Sequence, residues 1–163
     1  MGGWWTRLAR VAAILGATTA VAVSPTAAAV TPAALAEWLS KSVGPIGDVH
    51  EAESILFAAL YEEKIDFAAI DDGCLRLGEA NGLLPTLVPT PDSMLTAEVQ
   101  QAIDDFDTAS NTCNDFFVVR RDPGETDEAF LESLYHDLVR GLYRAEQHLA
   151  NADGIVAELA AKS

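Results

Sequence analysis

The sequence predicts an all-α protein: an antiparallel helical bundle of about four helices with one disulfide. Apolar residues recur at intervals of three or four positions along most of the chain, and two cysteines are present. The period-two alternation typical of strands is nearly absent, since the only short candidate is the FFVV segment at 116–119. A helix with one apolar stripe must bury that stripe against other helices, which predicts a bundle.

Residues 1–29 have the order of a secretory signal peptide. A short basic region precedes an apolar run at 11–23, and small residues follow up to Ala29. The apolar run is shorter than the ~20 residues that a membrane-crossing helix needs. We therefore predict cleavage between Ala29 and Val30, no transmembrane segment afterwards, and a single helical-bundle domain at 30–163. The predicted location is secreted or at the cell envelope.

The chain is strongly acidic. Its formal net charge is −15 at pH 7, and loss of Arg7 and Arg10 with the signal peptide would make it about −17. A surface of this sign repels nucleic acid and anionic lipid headgroups, so neither is a predicted partner. It favours basic partners or divalent cations, although solubility alone also accounts for it.

Cys74 and Cys113 are the two cysteines, and both remain after the predicted cleavage. Two thiols in an exported chain most often form one disulfide, because the compartment is oxidising. No C-x-x-C redox motif is present, and a two-cysteine zinc site would need ligands that the sequence does not place.

The first predicted helix begins at Thr31-Pro32, where a capping oxygen precedes a proline at the first helical position. It spans about 32–43, because Gly44 and Pro45 interrupt the pattern.

A second helical segment covers about 48–81 and ends at Asn81-Gly82, a usual helix exit. The charged run at 62–66 interrupts its apolar stripe, and Asp66 is a suitable cap for a new start. The segment is therefore either one helix or two.

The third and fourth helices have the clearest apolar patterns. The third is predicted to begin at Thr90-Pro91 and to end near Phe117, and the fourth to cover about 123–161 after a capping Asp122. The pattern of the third helix is Leu95, Val99, Ile103, Phe106, Ser110, Cys113 and Phe117, and that of the fourth is Leu131, Leu134, Leu138, Leu142, Leu149, Val156 and Leu159.

Residues 83–90 are predicted to form a structural corner. Pro85 and Pro89 disfavour helix and stiffen an extended path. A disulfide between Cys74 and Cys113 in antiparallel helices leaves the third helix overhanging the second by roughly 20 Å. An extended segment spans such a gap, and its apolar side chains would cover the overhanging face: Leu83, Leu84, Leu87 and Val88.

The stretch from 74 to 113 carries CLRLGEAN, then PTPD-x2-LT, then Q-x-AIDDFD-x5-C. It resembles a group of small exported helical proteins of actinobacteria that have two cysteines. The resemblance implies export, helical hairpins and a disulfide. It implies no activity and no catalytic residues.

The histidines do not predict a metal site. His50, His136 and His148 form no H-E-x-x-H motif and no pair four residues apart, and the acidic runs lack EF-hand spacing. A haem ligand needs only one His or Tyr. The candidates are Tyr135, His136 and Tyr143, of which the last two share a helix face; an ordinary helix surface is the alternative. No cofactor is predicted.

The sequence contains no nucleophile elbow and no phosphate-binding glycine loop, so it is not predicted to be an enzyme. One segment suggests interaction instead. Four apolar residues stand beside the basic pair at 120–121 and are predicted either to dock on another envelope protein or to form a core-covering linker: Phe116, Phe117, Val118 and Val119.

These patterns together favour a non-catalytic exported helical module, an accessory or protein-interaction protein of the bacterial cell envelope with an unknown envelope partner. The alternative is a carrier that holds a small ligand, haem or a lipid-like molecule, between its helices.

Overall fold

A computed structural model describes residues 30–61, 66–121 and 128–162. These residues form four α-helices and one short 3₁₀ helix, and no strand occurs in them. The elements are α1 (Pro32–Leu60), α2 (Phe67–Asn81), the 3₁₀ helix (Leu84–Leu87), α3 (Ser93–Arg121) and α4 (Glu128–Lys162). The prediction of an all-α bundle is therefore confirmed. In these three ranges, no helix combines the length and the apolar character needed to cross a membrane.

Helix α1 begins as predicted, with the Thr31 hydroxyl accepting a hydrogen bond from the backbone N–H of Ala34 at 3.2 Å. The predicted end before Gly44 is wrong, because the helix continues through Pro45 to Leu60. An internal proline costs about 3 kcal/mol in a helix. The apolar stripe continues on both sides of Pro45, and its burial outweighs that cost.

The second predicted segment is two helices rather than one. Asp66 caps α2, since its Oδ1 accepts hydrogen bonds from the N–H groups of Ala68 at 3.0 Å and Ala69 at 3.1 Å. Helices α1 and α2 pack closely at Gly73, where an added Cβ would lie 2.7 Å from the side chain of Leu56. Glycine at this position allows the two helices to approach.

The corner, predicted as an extended segment at 83–90, contains a 3₁₀ helix at Leu84–Leu87. Leu84 and Leu87 are buried, and their 3₁₀ helix contacts α1 as well as the third helix that they were predicted to cover; Leu83 is 47% exposed. The indole N–H of Trp38 donates to the backbone carbonyl of Leu87 at 2.9 Å and joins the turn to α1. Val88 is half-buried at the edge of the core. The segment is structural, but its conformation is more compact than predicted.

Helix α3 begins at Ser93, two residues later than predicted. Asp92 rather than Thr90 is the cap, because its Oδ1 accepts from the N–H groups of Met94 at 2.8 Å and Leu95 at 3.0 Å. The helix also continues past its predicted end to Arg121, so the strand-like FFVV segment is helical. The predicted cap of the fourth helix, at 122–123, lies outside the described residues.

The disulfide between Cys74 and Cys113 is confirmed, and it joins α2 to α3 with the two Cα atoms 5.7 Å apart. The most extensive helix contacts are between α3 and α4 and between α1 and α2. The core contains most of the predicted stripe residues, including Leu95, Val99, Ile103, Phe106, Leu134, Leu138, Leu142, Leu149 and Val156.

Candidate functional site

The three haem candidates lie on helix α4, towards its outer surface. Tyr135 is half-buried, His136 is exposed, and Tyr143 is 56% exposed. Nε2 of His136 lies 3.8 Å from a carboxylate oxygen of Glu132, and its ring meets that of Tyr135 edge-on with centroids 5.6 Å apart. His136 therefore faces solvent, and Tyr143 is more than half exposed at the outer edge of the contact between α4 and α1.

Tyr143 belongs to a group of three adjacent rings that we call the aromatic surface: Phe57, Tyr61 and Tyr143. The ring centroid of Phe57 is 5.2 Å from that of Tyr143 and 6.1 Å from that of Tyr61. The two tyrosine hydroxyls are 3.4 Å apart, and this contact raises the pKa of Tyr61. Tyr61 is 59% exposed and Tyr143 is 56% exposed, so two neighbouring tyrosine rings, one at the end of α1 and one on α4, are accessible to solvent.

The predicted docking segment at the end of α3 is only partly on the surface. Phe116 is buried in the core, which removes its side chain from any docking surface. Phe117 is half-buried, and Val118 is 66% exposed. The side chain of Val119 lies outside the described part of the chain.

A polar cluster interrupts the apolar contact between α1 and α4. Nδ1 of His50 lies 2.6 Å from Oε1 of Glu146 and 3.3 Å from Oε2 of Glu53. The side chain of Glu53 is only 4% exposed, whereas those of His50 and Glu146 are 27% and 38% exposed. One ligand atom from each of the three residues lies within 4.8 Å of the others. We call these residues the His–Glu–Glu cluster.

Burial and mutual contacts shift the pKa values of the three cluster residues in different directions. Burial raises the pKa of Glu53 to about 8, against a smaller opposing effect of His50. Burial lowers the pKa of His50, but contacts with Glu146 and Glu53 outweigh burial and raise that pKa to about 9. Burial also raises the pKa of Glu146, but His50 and Glu53 outweigh it and hold that pKa at about 2. At neutral pH the cluster holds a neutral carboxyl, an imidazolium and a carboxylate.

A second histidine, His148, has a different environment on the face between α3 and α4. Its Nδ1 lies 2.8 Å from Glu98, which also accepts a hydrogen bond from Asn151 at 3.1 Å, and its Nε2 lies 3.6 Å from Asp105. The hydrogen bond from His148 lowers the pKa of Glu98. Each ring nitrogen of His148 contacts a different carboxylate, so this arrangement connects two helices and does not converge on one point.

The sequence motifs do not identify the His–Glu–Glu cluster, because Glu146 is distant along the chain and His50-x-x-Glu53 is a common helix pair. A weaker indication is present in α1. The buried residues Val49, Glu53 and Leu56 continue one stripe at intervals of four and three, so a carboxylate occupies a core position. Buried carboxylates are rare without a partner or a role.

Comparison of the chain with protein-family models, with curated proteins and with solved structures finds no match in any of the three.

Proposed function

We propose that this protein is a non-catalytic exported interaction module of the cell envelope and that it binds a partner protein through the aromatic surface. The observation that carries this proposal is the exposure of Tyr61 and Tyr143 beside Phe57. Burying an aromatic ring at an interface contributes more than burying most other side chains, and tyrosine is enriched at the residues that dominate binding.

The charge of the chain supports a basic partner. The formal net charge is −15, so a partner segment with Lys or Arg beside apolar residues is attracted over distance and on contact. The exposed faces of the two tyrosine rings also suit a cationic side chain, which is attracted by the ring electrons. The partner that fits is a protein surface with an apolar centre and a basic rim.

Site-specific photo-crosslinking in the producing cell tests this proposal. A photoreactive phenylalanine analogue placed at Tyr143 is expected to give one discrete heterodimeric adduct, and Tyr61→Ala in the same chain is expected to abolish it. Met94 is the matched control position, because it is 68% exposed and lies on α3. Equal adducts from both positions, or none from position 143, would refute the aromatic surface as the docking site.

A haemin titration separates this proposal from the small-ligand carrier. Interaction through protein contacts predicts a Soret band unchanged from that of free haemin. A shifted band that disappears in both His136→Ala and Tyr143→Phe would instead assign the surface to haem binding and would replace the module proposal.

Export is part of the same proposal and has its own measurement. Protein recovered outside the cytoplasm is expected to have the intact mass of a chain that begins at Val30 with the disulfide formed. A membrane-bound species that retains residues 1–29 would contradict cleavage and would leave the interaction proposal to the crosslinking result.

A further inference from the structure

The His–Glu–Glu cluster places one imidazole and two carboxylates at a single point between α1 and α4. Nδ1 of His50 contacts both Glu53 and Glu146, and one ligand atom of each residue lies within 4.8 Å of the other two. Zinc-bound ligand atoms lie about 2.0–2.2 Å from the ion, so two ligands on one ion are about 3–3.5 Å apart. The ligand atoms, which lie within 4.8 Å of one another, must approach by about 1 Å to reach that spacing.

Glu53 supplies a second, independent observation. The residue is 97% buried, since its exposure is 3%, and among the described residues no N–H group donates to its Oε1; the neighbouring carboxyl of Glu146 is the partner left to it. Leaving a buried polar atom without a partner costs about 1–3 kcal/mol, so such atoms are rare unless something binds them. The atom belongs to the same cluster that offers the other two ligands.

The donor types and their charges indicate which ion would fit. Binding of a divalent cation releases the protons that His50 and Glu53 carry at neutral pH, and the resulting neutral imidazole and two carboxylates, with a charge of about −2, neutralise the cation inside the bundle. The imidazole nitrogen favours zinc, iron or other first-row transition ions over calcium and magnesium, which prefer oxygen ligands alone. Three protein ligands leave a coordination position for water, and the partial exposure of His50 and Glu146 leaves a path from solvent.

We propose that His50, Glu53 and Glu146 bind one divalent first-row transition-metal ion, with Zn²⁺ as the reference ion. The ion connects α1 to α4 and pairs the buried carboxyl of Glu53. This site is separate from the aromatic surface, so it stands whether or not the proposed interaction function is correct.

Isothermal titration calorimetry of the purified, tag-free protein, stripped of metal with a chelator and dialysed, tests the site. Zn²⁺ is expected to bind with a stoichiometry of one, and the same protein is expected to bind Mg²⁺ and Ca²⁺ at least about a hundredfold more weakly. Glu53→Gln and His50→Gln are each expected to weaken Zn²⁺ binding at least about tenfold. Co²⁺ is expected to give visible d–d absorption that is lost in both variants.

The matched control is Glu98→Gln, which removes a carboxylate from the His148 contact without touching the cluster. This variant is expected to bind Zn²⁺ as the unaltered protein does. Glu146→Gln provides a second cluster variant in case Glu53→Gln fails to fold, with helical circular dichroism as the folding check. The proposal would be overturned if the unaltered protein did not bind Zn²⁺. It would also be overturned if Glu98→Gln weakened Zn²⁺ binding as much as the folded cluster variants do.

Discussion

Replacing Glu53 with glutamine in the metal-free protein is expected to change how stability depends on pH. Burial raises the pKa of Glu53 to about 8 from an ordinary 4.5. Between these values the folded chain holds a proton that the unfolded chain has released, so the free energy of unfolding falls as pH rises. Below about pH 4.5 the carboxyl is protonated in both states, and no difference arises from it.

The size of the effect is set by the width of that window. A difference of one bound proton between the folded and unfolded states changes the free energy of unfolding by about 1.4 kcal/mol per pH unit. Over the whole window from 4.5 to about 8, the largest possible change is therefore about 4–5 kcal/mol. His50 and Glu146 are partly exposed, and solvent near them screens the cluster. We therefore expect Glu53→Gln to match the unaltered protein at about pH 5 and to be more stable by about 1–3 kcal/mol at about pH 8.5. The contribution of His50 is lost over a higher window, from 6.5 to about 9, and Glu146, whose hydrogen bond raises the pKa of His50 more than that of Glu53 does, is present in both proteins.

Urea unfolding followed by far-ultraviolet circular dichroism, with chelator present throughout, measures this difference. Glu51→Gln is the matched control, because Glu51 is on the same helix and its side chain is 69% exposed. Its difference from the unaltered protein is expected to stay constant between the two pH values. A Glu53→Gln difference that is equally constant would refute the argument from burial.

Five further substitutions test the packing of the bundle by the same urea assay. Cys74→Ser and Cys113→Ser are each expected to cost about 3–4 kcal/mol, because the disulfide closes a sequence separation of 39, and unequal losses would argue against a shared cause. Leu84→Ala is expected to cost about 2–5 kcal/mol and the exposed Leu83→Ala less than about 1 kcal/mol, so equal losses would contradict the corner. Trp38→Phe leaves a buried carbonyl of the 3₁₀ helix without its donor and is expected to cost about 1–2 kcal/mol; no loss would show that the hydrogen bond contributes nothing.

The helices could be predicted from the sequence where local and tertiary preferences agree. The capping oxygens of Thr31 and Asp66 lie directly before apolar stripes, and both cap helices in the structure. The pairing of Cys74 with Cys113 also followed from the sequence, because a chain that is predicted to be exported and has two thiols has one possible internal disulfide.

The errors occur where packing outweighs a local preference. Pro45 predicts a helix end, but a continuous buried stripe holds α1 together across it. Thr90 and Asp92 are both suitable helix caps, and the sequence alone does not rank them. In the structure the hydroxyl of Thr90 lies 2.9 Å from that of Thr96, and Asp92 caps α3. At 84–87 a 3₁₀ helix replaces the predicted extended segment, and its Leu87 carbonyl accepts a hydrogen bond from the distant Trp38 of α1.

By itself the sequence determined the fold class, the disulfide and the approximate helices, because periodic burial and helix capping act over a few neighbouring residues. Only the tertiary structure decided both candidate sites. Tyr61 meets Tyr143, and Glu53 meets Glu146, through the packing of α1 beside α4. No local pattern encodes a contact between residues so far apart in the chain, because it depends on the rotation of each helix about its axis and on how the two helices lie together.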